Sequence, residues 1–149
     1  MPETSSHPST ALLVMDFQRG IVERRGDAGV LDRAAEAIAA ARANAIPVVF
    51  VRVAFRAGYP EVAAGNPRFA ALRDAGGMAE TDAATAIHPA VAPRDGETVV
   101  VKRRVSAFAG SDLDVVLRAG GLARSSCAGS RRAASCSPPS ARRSTSTTA

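Results

Sequence analysis

The sequence predicts one α/β domain of 149 residues built on a parallel sheet. Three observations predict it. Short apolar runs alternate with helix-patterned stretches up to residue 122. The first run is apolar at consecutive positions rather than alternate ones, as expected of a strand covered on both faces. A strand, a helix and a second strand follow one another within residues 11–53, which is the order of a βαβ unit with a right-handed crossover.

Ala11 to Met15 (ALLVM) is the first strand, and Asp16 follows it at once. Gly20 to Gly29 is charged and bears glycines at both ends, so it reads as a loop. Val30 to Asn44 carries Val30, Ala34, Ala37, Ile38 and Ala41 at helical spacing, with alanine filling much of the rest. Asp27 stands where a cap belongs. Ile46 to Val53 (IPVVFVRV) is the second strand, with Pro47 tolerable only near its start. Residues 54–67 hold Gly58, Pro60, Gly65 and Pro67 and read as irregular. Arg68 to Asp74 fits a short helix. Met78 to Pro93 reads as a loop with brief turns, broken by His88-Pro89 and Pro93. Glu97 to Lys102 (ETVVVK) is the third strand. Ser111 to Ala119 is a helix with Ser111 as cap, Asp114 in its first turn, Leu113, Val116 and Leu117 as its apolar stripe, and Gly120-Gly121 as its stop. Leu122 then opens what should be the next strand.

There the pattern breaks. Residues 124–149 (RSSCAGSRRAASCSPPSARRSTSTTA) hold eight Ser and five Arg, no acid, and no aliphatic side chain larger than Ala. The expected organisation is a polar leader over 1–10, a partial domain over 11–123, and a Ser/Arg-rich tail over 124–149, disordered or out of frame. The formal charge of +5 arises in that tail, because residues 1–123 balance 14 basic against 14 acidic side chains. The folded part is therefore not a basic surface, and no specific nucleic-acid partner is expected. Weak, salt-sensitive binding by the tail is the residual possibility. The two cysteines, Cys127 and Cys136, both lie in the tail and make no disulfide framework. The leader is not a secretory signal, and no run reaches the roughly 20 apolar residues that span a bilayer. A cytoplasmic protein with no membrane partner is expected.

Asp16 and Lys102 each end a strand of core residues. In open parallel sheets, polar groups at the carboxyl ends of strands line the ligand crevice. A partly desolvated carboxylate there can act as a general base. Taken singly, Asp16 also reads as a turn cap and Lys102 as an edge residue reaching water. As opposite charges at adjacent strand ends, they would steady one another. Gln18 can donate and accept beside Asp16, as a substrate-binding group or as a solvent-facing Gln. Phe108, in the loop after Lys102, reads either as core packing or as a substrate wall. His88 and His7 are too isolated to form a metal cluster. No GxGxxG, Walker A, HExxH or CxxC pattern occurs, so neither metal nor cofactor is expected. A nucleophilic cysteine needs an ordered, positive niche. The arginines near Cys127 and Cys136 offer charge without order.

The stretches ALLVMDFQRGIV (11–22), AIPVVFVRV (45–53), AIHPAVAPRDGETVVVKRRVSAF (86–108) and SDLDVVLRAGG (111–121) resemble the isochorismatase-like cysteine hydrolases, relatives of nicotinamidase and N-carbamoylsarcosine amidase. The resemblance spans residues 10–122. It implies a three-layer αβα, Rossmann-like fold around a mostly parallel sheet, a small-molecule substrate, and homo-oligomers in intact relatives. It also implies roles. Asp16 matches the family's base, and Lys102 matches the lysine that orients and stabilises charge. The family cysteine stands at a later strand-to-helix junction, in a segment of the form G-x-x-T-x-x-C-V. There its thiolate attacks an amide or imine carbon. The isochorismatases proper cleave a vinyl ether without that cysteine. This chain has no such segment, and its second strand runs into Arg52-Val53-Ala54-Phe55 without the metal-site pattern of the nicotinamidase branch.

With codon choice left free, residues 125–140 read in a shifted frame yield L-V-L-C-G-I-A-T-S-G-V-V-L-S-T-V. That is an apolar strand, a turn and a helix start, with Val where the family's Cys stands. The sequence thus leads to the expectation of a hydrolase domain incomplete at its C-terminus, lacking the nucleophile segment, with a frame change near codon 124. A non-catalytic binding or oligomer-forming module on the same fold is the alternative.

Overall fold

The computed structural model describes residues 10–122 and the backbone of 124–129. Four strands, β1 (Thr10–Met15), β2 (Val48–Val53), β3 (Thr98–Lys102) and β4 (Arg124–Gly129), lie side by side in the order β3-β2-β1-β4. All neighbours run parallel. Four helices accompany them: α1 (Arg19–Arg25), α2 (Ala28–Ala43), α3 (Pro67–Ala75) and α4 (Leu113–Ala119). Single 3₁₀ turns occupy 83–85 and 89–91.

The continuous apolar run of β1 is explained by its place between β2 and β4. Successive side chains point to opposite faces. Leu12 and Val14, with Val48 and Phe50, pack on Ala34, Ile38 and Ala41 of α2. Ala11, Leu13 and Met15, with Val49, Val51 and Val100, pack on Leu113 and Leu117 of α4. Helices thus cover both faces of a parallel sheet, the α/β class expected from the sequence. A third cluster of Phe55, Val62, Phe69 and Met78 lies beyond the end of β2. Phe69 meets Phe55 edge-on at 5.7 Å between ring centroids, a favoured aromatic geometry.

Three elements differ from expectation. Residues 19–25 form α1 instead of a loop. Ile21 and Val22 are buried, and Gly26 ends the helix at φ +63°. Gly20 is required by packing, because a Cβ there would stand 2.8 Å from the Cβ of Ala84. Helix α4 begins at Leu113, with Asp112 at the cap position. Ser111 still contributes, its Oγ accepting from the Leu113 amide at 3.2 Å. The strand expected to open at Leu122 runs from Arg124 to Gly129, through the first residues of the segment set apart as a tail. Residues 1–9 and 130–149, with Cys136 and the rest of the tail, lie outside the described residues.

Candidate active site

The strand order reverses direction at β1. The chain adds β2 and β3 on one side, then crosses to place β4 on the other. Open α/β sheets bind ligands outside the carboxyl ends of strands at such a switch point. Asp16 emerges there from β1. Its amide still donates to the carbonyl of Val51 at 3.0 Å, and its backbone then turns at φ +62°. A left-handed conformation is uncommon for a residue with a side chain, and Asp tolerates it better than most.

Asp16 and Lys102 meet. Lys102 Nζ lies 3.0 Å from Asp16 Oδ1 and 3.1 Å from Oδ2, and also donates to the carbonyl of Val105 at 3.1 Å. Only 3% and 7% of the two side chains are exposed, so this pair is shielded from water. One detail corrects the sequence reading. The two strand ends are not adjacent, because β2 lies between β1 and β3. Two strand spacings separate the backbones by about 9–10 Å, and the long lysine side chain covers the gap across the end of β2.

Gln18 is fully buried. Its Nε2 donates to the carbonyls of Val53 at 2.8 Å and Thr85 at 2.9 Å, and its Oε1 accepts from the Val53 amide at 2.8 Å. The side chain is satisfied by backbone and clasps three chain segments together. Phe108 packs partly buried beside the Ala107 and Leu113 cluster, on the α4 face of the sheet. His88 Nδ1 accepts from the Ala90 amide at 3.2 Å and shapes a turn. Among the described residues no three His, Cys, Asp or Glu side chains gather as a metal site. No described helix is long and apolar enough to cross a membrane.

A cavity of about 200 Å³ opens beside the pair. Asp16 and Lys102 form part of its wall. Six apolar side chains line much of the rest: Ile21 from α1, Val53 from β2, Phe69 and Leu72 from α3, and Met78 and Val105 from loops. Neither Gln18 nor Phe108 is in that lining. Four arginines are, Arg24, Arg25, Arg68 and Arg104, and the sequence reading did not single them out. The signal was present in α1: Ile21, Arg24 and Arg25 stand at i, i+3 and i+4, which is one helix face.

The sequence model of the isochorismatase domain matches residues 10–129. The chain belongs to the isochorismatase family. It is 33% identical over 114 residues to the uncharacterized isochorismatase family protein YwoC of Bacillus subtilis (strain 168), across 76% of this chain and 58% of that protein. Its fold resembles a cysteine hydrolase from Pseudomonas syringae pv. phaseolicola 1448A, with a TM-score of 0.74 and 25% identity over 83% of this chain and 60% of that one. It also resembles an isochorismatase family protein from Burkholderia thailandensis, with a TM-score of 0.64 and 30% identity over 82% and 64%. The chain spans about three fifths of the length of these relatives.

Proposed function

We propose that this isochorismatase-family domain carries the base and the electrostatic partner of a hydrolase for small amides or related metabolites. The observation that supports it is the buried Asp16–Lys102 pair in the wall of an otherwise largely apolar cavity at the sheet's switch point. A cysteine hydrolase shares the fold with a TM-score of 0.74, which supports the same reading. In this reading Asp16 accepts the proton of the attacking group. Lys102, held by Asp16 and Val105, offsets negative charge as the bond to the substrate carbon forms. Gln18 serves the site indirectly, by fixing Val53 in the cavity wall. Phe108 packs with Ala107 and Leu113 and does not line the cavity, so its reading as packing is favoured.

The attacking group is the open part of the site. In β4, Cys127 pairs in register with Leu13, whereas Asp16 lies three residues further on. At about 3.3 Å per residue, Cys127 stops roughly 10 Å short of the level of Asp16. The described register of β4 ends with Gly129 opposite Met15, and the sequence that follows holds no G-x-x-T-x-x-C-V segment. The β4 position also supports the shifted-frame reading. It flanks Ala11, Leu12 and Leu13, all buried, a place that calls for apolar residues; the sequence has Ser125, Ser126 and Cys127, and the shifted frame has L-V-L. In the shifted frame Val stands in place of the usual thiol, and water would then be the nucleophile. Asp16 takes one proton, the oxygen attacks the carbonyl carbon, and the C–N bond breaks as the amine is protonated.

Purified chain is to be assayed on nicotinamide, N-carbamoyl amines and isochorismate. Turnover that falls at least about a hundredfold in Asp16→Ala is expected, and equal turnover by the variant would end the reading. The Cys127 register favours a second reading, a binding module on the same fold. It predicts no turnover of any of these and uniform, slow labelling of both thiols.

A further inference from the structure

Glu61 is not part of the cavity lining, yet three arginines converge on it. Its Oε1 accepts from Arg56 Nη1 at 2.6 Å and from Arg103 Nε at 2.7 Å, and its backbone carbonyl accepts from Arg104 Nη2 at 3.0 Å. Only 12% of the Glu61 side chain and 18% of the Arg103 side chain are exposed, so the bond between them is largely sheltered from screening. Hydrogen bonds between ionised groups are the stronger class. Arg103 and Arg104 directly follow Lys102 in the loop after β3. The next residue, Val105, accepts from Lys102 Nζ at 3.1 Å. Arg104 and Val105 both stand in the cavity wall. The turn that carries Glu61 grips another part of that wall as well. Tyr59 holds φ +53°, uncommon for a residue with a large side chain, and its Oη accepts from the amide of Met78, a lining residue, at 3.1 Å. Backbone strain of this kind persists only where the surroundings over-determine it, and it gathers at functional sites.

We propose that Glu61 is a positioning residue of the site: by holding Arg103 and Arg104, it fixes the loop whose Val105 carbonyl orients the Lys102 ammonium beside Asp16. This rests on the reading of Asp16 and Lys102 as the site. A lysine ammonium is a compact charge on a flexible stem, and its donors rotate freely, so nothing in the side chain itself sets its direction. Asp16 sets one direction and the Val105 carbonyl a second. A loop that is free to shift gives up the second. Glu61 thus acts on the reacting centre through the backbone that follows Lys102, without touching it.

Lys102 is the only lysine in the sequence, which makes a direct test possible. Full chain isotope-labelled at the lysine side-chain nitrogen gives one ammonium signal by NMR. In the parent its protons should exchange slowly with water, as expected of a buried, hydrogen-bonded group. Glu61→Gln should speed that exchange by about tenfold or more, the worth of one hydrogen bond to a charged group. Glu97→Gln is the control. It cuts a comparably buried bond to Arg42, away from the cavity, and reports general loosening alone. It should leave the Lys102 exchange rate within about twofold of the parent. Should Glu61→Gln fail to fold, Arg103→Gln cuts the same contact from the loop side and should give the same acceleration. Fast exchange already in the parent, no change on cutting the contact, or an equal change in Glu97→Gln would overturn the proposal. The signal reports the ammonium whether or not the chain turns over substrate. A failure here therefore counts against the positioning role, whereas equal turnover by Asp16→Ala counts against the catalytic reading.

Discussion

Asp16 and Lys102 are each tolerable in the interior only because of the other. Removing one charge of a buried pair leaves its partner stranded, and the usual cost is about 3–5 kcal/mol. Lys102→Ala should therefore destabilise by about that amount in urea unfolding. Joining Asp16→Asn to Lys102→Met should cost much less than the two single losses added together. Additive losses would show that the pair is not energetically coupled. The pair was legible in the sequence because a charged residue directly after an apolar run marks where a covered strand leaves the sheet. Gln18 was not legible in the same way. It stands close to Asp16 in sequence, but its partners are backbone groups 35 and 67 positions away. No local pattern announces such a clasp. The arginines of the cavity escaped for another reason: they become neighbours only once α1 and α3 are both in place.

At the scale of elements, the C-terminal turn of α2 is fastened to the turn before β3. Arg42 Nε and Nη2 donate to the two carboxylate oxygens of Glu97 at 2.8 and 2.7 Å, and the Arg94 amide donates to Glu97 Oε2 at 2.7 Å. The Arg42 hydrogen bonds hold the Glu97 carboxyl below its ordinary range, against the opposing effect of burial. A carboxylate whose pKa is lower folded than unfolded adds stability above the unfolded value. That contribution fades as pH falls from the usual glutamate range through the depressed folded value. Parent and Glu97→Gln should thus differ in unfolding midpoint near neutral pH and converge by about pH 3. A constant gap down to that pH would refute the coupling. Helices α2 and α3 and the three written strands were readable to within two or three residues at each end, because their apolar spacing is regular. Helix α1 was not. It is seven residues long with Gly20 inside it and Gly26 at its end, and its burial depends on the turn at 83–85.

For the whole molecule, the decisive position is β4, beside a strand with no solvent-facing side. Three substitutions, Ser125→Leu, Ser126→Val and Cys127→Leu, follow the shifted frame. Burying such side chains typically stabilises by about 1.5–3 kcal/mol each. The triple variant should therefore unfold at a clearly higher urea concentration than the parent. A lower midpoint would argue that the written strand is the native one, and the base sequence at codon 124 provides an independent check. The clasp of Gln18 has a consequence at this scale as well. Its carbonyl shields the Val53 amide, and its own amide group holds the Val53 and Thr85 carbonyls. Val53 therefore cannot be released by fraying of β2 alone, and the loop that carries Thr85 must let go as well. In heavy water this amide should exchange its proton for deuterium only when the entire domain opens, which makes it an internal clock for global unfolding.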